Sequence, residues 1–295
     1  MPAPKDIANA VQDWSRAQEL PETYAEDVTR WLVPLLPGLV DQILASARPW
    51  VLAINGAQGS GKSTLAGLLE FLLRHSYTLT VAQCSIDDIY ATRQQRQHLA
   101  QRVHPLLATR GVPGTHELEL WWQLLQAAAQ PQALTLPRFS KADDDRLPVS
   151  AWPRVQGPLQ VVILEGWCVA CRPQPAAQLE EPINCLEREE DPQGIWRSFV
   201  NQQLQDAYAR MAASIDTLIM LHAPDLDAVL RWRGQQEARL AAQQQGRGIM
   251  DAQQLQRFIE HFERLTRWQW QDLPQHADYR IILDDAERMR DLISR

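Results

Sequence analysis

The sequence contains few cysteines, four in 295 residues. Cys84, Cys168, Cys171 and Cys185 are too few and too scattered for a disulfide framework in a chain of this length. Cys168 and Cys171 have the C-x-x-C spacing of redox and zinc sites, but no second C-x-x-C pair is present to complete a four-cysteine zinc site. We therefore predict reduced, partly buried thiols.

A long hydrophobic run is also absent. The most apolar early stretch, residues 32–40, is interrupted by Pro34, Pro37 and Gly38 and is far shorter than the roughly 20 residues of a membrane-spanning helix. The first residues lack the basic segment followed by an apolar one that is typical of a secretory signal. We expect a cytoplasmic protein with no membrane partner.

Positive charge is not in excess, because the formal net charge is −7 and the pI is near 5.5. Nucleic-acid binding relies on a basic surface that displaces counterions from phosphates, so we expect a small-molecule substrate and no nucleic-acid partner. Hydrophobic residues make up 45% of the chain and charged residues 22%, which is typical of a globular protein with a sizeable core. Nothing in the sequence indicates an oligomeric state.

A complete phosphate-binding loop, or P-loop, occupies residues 56–63, which read Gly-Ala-Gln-Gly-Ser-Gly-Lys-Ser. An apolar run precedes it and a helix-compatible segment follows, so a simple glycine-rich turn is the weaker interpretation. In such a loop Lys62 reaches the β- and γ-phosphates, and the hydroxyl of Ser63 binds Mg²⁺. The nucleotide-binding candidates are Gly56, Gln58, Gly59, Ser60, Gly61, Lys62, Ser63 and Thr64. The motif therefore predicts ATP and Mg²⁺ as cofactors.

Strand-like and helix-like segments alternate after residue 49, as in a parallel sheet covered by helices. The predicted strands are residues 50–55, 78–84, 160–165, 216–221 and 278–283. The predicted helices include residues 117–129, 196–213, 225–244 and 251–271. We predict an α/β P-loop NTPase fold of three layers, with a parallel five-stranded sheet flanked by helices. Residues 1–48 are expected to form an N-terminal helical extension packed on the P-loop domain of residues 49–295, because they are too few to bury much apolar surface alone.

Carboxylates follow two of the predicted strands. Asp87 and Asp88 come after the second strand, and Glu165 ends the third. The carboxyl ends of parallel strands form the edge of the sheet where ligands bind. Phosphoryl transfer to a hydroxyl needs a group that orients the hydroxyl and accepts its proton, which either aspartate could supply, although an isolated Asp-Asp is usually a solvated turn. Glu165 fits an acid placed near Mg²⁺.

Cations are needed as well, because phosphoryl transfer develops negative charge. Arg231 and Arg239 lie on one side of a predicted helix and could close over ATP, although a mixed-charge surface helix explains them equally well. Arg138, Lys141 and Arg146 lie in a loop-like segment and could hold an anionic group of the substrate, and bidentate recognition favours the arginines. The alternative for these three is a solvated loop with neutralised charges.

Several segments resemble the D-glycerate 3-kinases of the plant and bacterial type. They are residues 85–90, 102–116, 137–139, 144–146, 165–167, 184–187 and 191–196, with Lys141. The resemblance extends from about residue 50 to the C-terminus, and residues 104–116 are far more specific than the P-loop.

That family belongs with the phosphoribulokinase, uridine kinase and pantothenate kinase branch of P-loop kinases, so the resemblance implies that residues 49–295 form a P-loop kinase domain. It implies Asp87 as catalytic base beside Lys62 and Glu165, although Ile89 stands where the family usually has Phe. It also implies Mg²⁺ bound by Ser63 with Glu165, and transfer of the γ-phosphoryl group of ATP to D-glycerate, giving 3-phosphoglycerate. The substrate-binding candidates are Asp88, Tyr90, Arg138, Lys141 and Arg146, and Arg231 is an additional nucleotide-binding candidate.

Three alternatives stay open at the level of sequence. The chain could be a kinase for another small hydroxylated metabolite, such as a nucleoside or a pantothenate-like compound, or a regulatory protein that binds nucleotide without catalysis. A nucleotide-driven switch or motor is disfavoured, because the sequence contains neither an Asn-Lys-x-Asp guanine-reading motif nor a Leu-Ser-Gly-Gly-Gln transporter signature. Intact Lys62, Ser63, Asp87 and Glu165 disfavour the loss of catalysis.

Overall fold

The computed structural model describes residues 4–243 and 252–295. The α-helices in these ranges are α1 Pro4–Ala17, α2 Glu22–Trp31, α3 Leu36–Ala45, α4 Lys62–His75, α5 Arg93–Arg102, α6 Glu119–Ala128, α7 Cys185–Glu190, α8 Ile195–Gln205, α9 Ala207–Ala212, α10 Leu226–Gln243 and α11 Ala252–Asp272. The strands are β1 Trp50–Gly56, β2 Val81–Ser85, β3 Ala133–Thr135, β4 Phe139–Ser140, β5 Asp145–Arg146, β6 Arg154–Gln156, β7 Val161–Gly166, β8 Thr217–His222, β9 Tyr279–Leu283 and β10 Met289–Ser294. Among these helices none is both long and apolar enough to span a membrane.

The main sheet has the strand order β10-β9-β8-β1-β7-β2. The pairs β9–β8, β8–β1, β1–β7 and β7–β2 are parallel, and β10 is antiparallel to β9. The central strands β1 and β7 are nearly continuous apolar runs and are buried on both faces, as expected when helices cover both sides of a parallel sheet. The predicted α/β P-loop fold is thus confirmed.

The prediction of five strands is wrong by one, because β10 forms the sixth. Four of its six residues are exposed, including the charged Arg290 and Asp291, so β10 lacks the apolar run that marked the other strands. β2 begins at Val81 and not at residue 78, because Thr78 has a φ of 58°, a left-handed conformation that a strand does not accommodate. The predicted helix at 196–213 is divided into α8 and α9 at Asp206, and the predicted helix ends at residues 244 and 251 lie outside the described residues.

The core has a layer on each side of the sheet. Val51 and Ala53 of β1 belong to a cluster built with residues of α6, α8 and α11. Leu52 and Ile54 belong to a second cluster, built with residues of α1, α2, α3 and α4. Because successive side chains of a strand point to opposite faces, this alternation gives three layers with the sheet in the middle.

The N-terminal helices pack on the sheet side that carries α4. Ile7, Val11 and Val28 are almost fully buried in the cluster that also contains Leu65 of α4. The boundary between an extension and a kinase domain at residue 48 stays a prediction.

Candidate functional site

The P-loop joins β1 to α4 and turns through two left-handed glycines. Gly59 has a φ of 81° and Gly61 a φ of 80°. A Cβ atom on Gly59 would lie 2.8 Å from Cβ of Trp232, so α10 packs directly against the loop. A Cβ atom on Gly56 would lie 2.5 Å from Oγ of Ser60, which shows how tightly the loop closes on itself. Conformation therefore favours glycine at positions 59 and 61, and space favours it at positions 56 and 59.

Helix α4 presents its N-terminus at the end of this loop. It begins at Lys62, so the amide groups of Lys62, Ser63 and Thr64 have no acceptor within the helix. These amides and the positive end of the helix dipole form a site suited to phosphate. The hydroxyl of Ser60 is buried without a hydrogen-bond partner in the same loop.

Ser63 and Glu165 meet at the first turn of α4. The Ser63 hydroxyl donates a hydrogen bond to Oε1 of Glu165 at 2.9 Å. Glu165 lies on β7 beside Ile54 of β1, and its side chain is buried. Its second oxygen, Oε2, has no hydrogen-bond partner. A buried carboxylate with a free oxygen beside a hydroxyl fits the oxygen ligands that Mg²⁺ prefers.

No cluster of three or more His, Cys, Asp or Glu side chains with metal-ligand spacing occurs in residues 4–243 and 252–295. Cys168 and Cys171 are buried free thiols, in line with the predicted burial, and burial raises the pKa of both, whereas Cys185 is exposed.

Asp87 follows β2 in a 3₁₀ turn and has two partners. Its Oδ1 accepts a hydrogen bond from the Tyr90 hydroxyl at 2.6 Å, and its Oδ2 accepts one from Nζ of Lys141 at 2.7 Å. Burial by itself would raise the pKa of Asp87. The charge and hydrogen bond of Lys141, the Tyr90 hydrogen bond and the charge of Lys62 outweigh burial and lower this pKa to about 2. Asp87 is therefore ionised at neutral pH and lies within electrostatic reach of the P-loop lysine.

Asp88 has different surroundings from its neighbour. Its Oδ2 lies 3.1 Å from Nη1 of Arg138 and also accepts a hydrogen bond from the backbone N–H of Ser85 at 3.4 Å, which caps the turn. Burial raises the pKa of Asp88, and the charge of Arg138 opposes the rise only in part. The two acids thus point to different partners.

Two of the three predicted substrate cations reach these acids. Lys141 contacts Asp87 and Arg138 contacts Asp88, as described above. Arg146 instead donates from Nη2 to the carbonyl oxygen of Tyr90 at 2.9 Å and to Oε2 of Glu117 at 2.7 Å. The structure therefore gives Arg146 a supporting position behind Tyr90, and its predicted contact with substrate stays a prediction.

Arg231 lies on α10 but is turned to the end of β9. It forms an ion pair with Asp285, and the adjacent Trp232 is the residue that contacts Gly59. The side chain of Arg239 lies outside the described residues. The nucleotide-binding role of Arg231 stays a prediction.

Sequence reasoning missed His116 and Tyr208. The imidazole of His116 stacks on the Tyr90 ring, with centroids 4.6 Å apart, and its Nδ1 lies 2.6 Å from the Tyr208 hydroxyl. Burial lowers the pKa of His116 to about 4, and the charge of Asp87 opposes this shift in part. The only sequence signal was the place of His116 in the specific segment 104–116.

A cavity of about 530 Å³ opens elsewhere, and its lining includes Cys171, Arg172, Leu218 and His276. None of its lining residues belongs to the P-loop or to the turn after β2. We therefore locate the candidate site by the chemistry of four residues, Lys62, Ser63, Asp87 and Glu165. The size of this other cavity does not indicate the site.

Comparison with known proteins finds kinases whose sequences are related to this chain. The chain is 30% identical over 224 residues to the chloroplastic D-glycerate 3-kinase of Arabidopsis thaliana, an alignment that covers 72% of this chain and 46% of the plant protein. The chain thus spans about half the length of that relative. It is 32% identical over 239 residues to the uncharacterized kinase mug58 of Schizosaccharomyces pombe, covering 77% of this chain and 83% of the yeast protein. No protein-family model matches the chain.

A solved structure is similar over nearly its full length. The D-glycerate 3-kinase from Cryptococcus neoformans superposes with a TM-score of 0.73 and 28% sequence identity, covering 88% of this chain and 96% of the fungal one. The two chains thus share a fold and a related sequence.

Proposed function

The chain belongs to the D-glycerate 3-kinase family of P-loop kinases, and we propose that it transfers the γ-phosphoryl group of ATP to the 3-hydroxyl of D-glycerate, giving 3-phosphoglycerate. The observation that carries the proposal is the position of Asp87 at the end of β2, where it is held by Tyr90 and Lys141 within the electrostatic influence of Lys62. This arrangement supports a hydroxyl-orienting role for Asp87 together with a phosphate-binding role for Lys62.

The nucleotide half of the site is formed by the P-loop and the start of α4. Their amide groups bind the phosphates, and Lys62 neutralises charge on the transferred group. Ser63 and Glu165 would hold Mg²⁺, which supplies charge neutralisation when bound. The free Oε2 of Glu165 supports this assignment.

The acceptor half of the site is formed by Asp87 and its surroundings. Asp87 orients the acceptor hydroxyl and takes up its proton as transfer proceeds. A pKa of about 2 makes it a weak base, but the transition state of phosphoryl transfer is loose, so orientation matters more than early proton removal. Only two lone pairs of the carboxylate are engaged, by Tyr90 and Lys141, which leaves capacity for the hydroxyl.

The carboxylate of D-glycerate needs a cation. Lys141 is 64% exposed and Arg138 is 32% exposed, so both can turn to a ligand, whereas Arg146 is held behind Tyr90. We assign Arg138 and Lys141 as the carboxylate-binding pair. Location in the cytoplasm and the absence of a nucleic-acid partner stay predictions.

The test is ADP release by the purified protein with Mg-ATP and a panel of acceptors: D-glycerate, L-glycerate, glycerol, uridine and pantothenate. We expect turnover with D-glycerate and none in the matched Lys62→Ala variant, which removes the phosphate-facing ammonium. Addition of enolase distinguishes the products, because it dehydrates 2-phosphoglycerate but not 3-phosphoglycerate.

The result that overturns the acceptor assignment is faster turnover with uridine or pantothenate. Glycerol phosphorylated as well as D-glycerate would overturn carboxylate recognition. Single-turnover measurement with labelled ATP detects transfer too slow for the steady-state assay, and no transfer to any acceptor would leave a nucleotide-binding protein without catalysis.

A further inference from the structure

His116 is buried at the acceptor side of the site. Only 8% of its surface is exposed. Its ring stacks on Tyr90, the residue whose hydroxyl bonds Asp87, and an isolated β-bridge joins the backbones of Tyr90 and His116. The imidazole is therefore fixed one ring away from the predicted catalytic base.

The hydrogen bonds of Tyr208 assign the tautomer of His116. The backbone N–H of Gly114 donates to the Tyr208 oxygen at 3.0 Å, and this oxygen lies 2.6 Å from Nδ1 of His116. The Tyr208 oxygen accepts hydrogen bonds from the backbone N–H groups of Gly114 and His116, so its own O–H donates a hydrogen bond to Nδ1 of His116. Since a neutral imidazole carries one hydrogen, that hydrogen is on Nε2. Burial lowers the pKa of His116 to about 4, so the ring is neutral at pH 7.

The Nε2–H of His116 has no hydrogen-bond acceptor among the described residues. Nε2 of His116 is buried and has no hydrogen-bond partner. Buried donors are nearly always satisfied, and an unsatisfied one is costly, so this nitrogen calls for a partner that the chain itself does not supply. The Tyr90 ring on which His116 stacks also carries the hydroxyl that bonds Asp87, so the imidazole lies next to the proposed acceptor side of the site.

We propose that the Nε2–H of His116 donates a hydrogen bond to the 2-hydroxyl of the acceptor and so selects 2,3-dihydroxy acids over 3-hydroxy acids that lack this group. This inference rests on the proposed function. The other two groups of D-glycerate have better partners. Asp87 takes the 3-hydroxyl, and the charged Lys141 and Arg138 suit the carboxylate. The neutral Nε2–H of His116 then remains as the donor for the neutral 2-hydroxyl of D-glycerate.

The kinetic test compares D-glycerate with 3-hydroxypropanoate, which lacks the 2-hydroxyl, in wild type and His116→Phe. We expect the variant to raise KM for D-glycerate about tenfold more than KM for 3-hydroxypropanoate, as the loss of one hydrogen bond predicts, with KM for ATP unchanged. The matched control is His261→Phe, since His261 is also buried with an unpartnered Nε2 but packs against Trp196. Equal losses on both acceptors would give His116 a structural role only and overturn the inference.

A second measurement uses the wild-type protein and does not depend on the folding of a variant. ¹⁵N-histidine NMR should show His116 protonated on Nε2 and not on Nδ1. D-glycerate should shift the Nε2 resonance, whereas 3-hydroxypropanoate should leave it near its free position. The His116→Phe variant assigns the resonance by its loss.

The outcomes separate this inference from the proposed function. Turnover of D-glycerate without any shift of Nε2 would overturn the role of His116 and leave the kinase assignment intact. A D-glycerate-dependent shift without ADP release would support the His116 contact and overturn the proposed reaction. Protonation on Nδ1 would overturn the inference outright.

Discussion

Asp87 and Asp88 are neighbours in sequence but differ in every side-chain contact. Asp87 bonds Tyr90 and Lys141, and its pKa is lowered to about 2, whereas burial raises the pKa of Asp88 beside Arg138. Successive residues that leave a strand point in different directions, so Asp87 reaches Tyr90 and Lys141 whereas Asp88 caps the turn. At the scale of single residues, two adjacent carboxylates thus differ in their hydrogen-bond partners and in the direction of their pKa shifts.

This division predicts unequal effects of two amide substitutions. Asp87→Asn keeps the shape but removes the proton acceptor, so kcat should fall by roughly 10² or more, with KM for ATP little changed. Asp88→Asn should reduce kcat less and lower thermal stability through the weakened cap and the lost Arg138 pair. Steady-state kinetics at saturating ATP and D-glycerate compare them directly. If Asp88→Asn is the slower enzyme, the base is misassigned although the kinase assignment survives.

Arg138 gives the second residue-level prediction. Arg138→Lys should raise KM for D-glycerate by roughly tenfold or more, because hydrogen bonds to charged groups contribute about 1.5–3 kcal/mol and a point charge does not reproduce the planar fork. Arg146→Lys is the matched comparison. It should mainly lower the melting temperature, since Arg146 supports Tyr90 and Glu117. If Arg146→Lys raised KM for D-glycerate more than Arg138→Lys does, Arg146 would be assigned to the substrate site instead.

At the scale of elements, the long connection between β2 and β7 carries residues that surround Asp87 and Tyr90. The segment between β2 and β7 supplies His116 on one side, and the β4–β5 hairpin carries Lys141 to Asp87. Asp144 of this hairpin is held by Arg96, which is buried, and by Arg110. The hairpin is therefore anchored to α5 and to the segment around Arg110, not left as a solvated loop.

The contact between α10 and the P-loop predicts a difference between two glycines of like conformation. Gly61→Ala should lower the free energy of unfolding by about 1 kcal/mol, because φ is positive but nothing lies within 4 Å of the added Cβ. Gly59→Ala adds the clash with Trp232, so it should cost roughly 1–3 kcal/mol more. Urea unfolding of the nucleotide-free variants gives both values. Equal losses would mean that α10 moves away without cost.

At the scale of the whole molecule, helix α2 near the N-terminus forms hydrogen bonds with the segment at the start of β10. Asp27 of α2 accepts hydrogen bonds from Nε and Nη2 of Arg288 at 2.6 and 2.8 Å and from the Met289 amide at 3.1 Å. Trp31 donates to the Met289 carbonyl at 3.2 Å. The two ends of the chain are thus joined beside β10, and the edge strand is fixed by helix contacts.

Asp27→Ala should therefore lower the free energy of unfolding by about 2–3 kcal/mol, less than a fully buried pair because Arg288 is 30% exposed. The control is Asp13→Ala, which breaks a pair with Arg16 that is more than 70% exposed on both sides and should change stability by less than about 0.5 kcal/mol. Chemical denaturation measures both. Similar values for the two variants would argue that the helices do not stabilise the sheet.

Buried histidines predict the pH dependence of stability. Burial lowers the pKa of His116 and of His261 from 6.5 to about 4. In this interval the unfolded chain binds protons that the folded protein does not, so the free energy of unfolding falls as the pH is lowered from 6.5 to 4. The loss is up to about 3 kcal/mol per histidine. His222 also has a pKa lowered by burial, so His261→Gln should remove a part of this pH dependence, measured by urea unfolding across the interval. An unchanged slope would contradict it.

The sequence by itself determined what local patterns encode. The P-loop, the five apolar strands and the acids at the carboxyl ends of β2 and β7 depend on neighbours within a few positions, and the structure places Asp87, Lys62, Ser63 and Glu165 at one edge of the sheet. β10 escaped prediction because an exposed edge strand needs no apolar run.

Only the tertiary structure decided the contacts between distant segments. His116 and Tyr208 are 92 positions apart, and Asp27 and Arg288 are 261 apart. A polar residue in a loop gains its partner, its burial and its pKa from whichever segment packs on it, and no local pattern carries that information. For this reason the sequence proposed Arg138, Lys141 and Arg146 alike as substrate ligands, and the fold separated the two that reach the acids from the one that supports Tyr90.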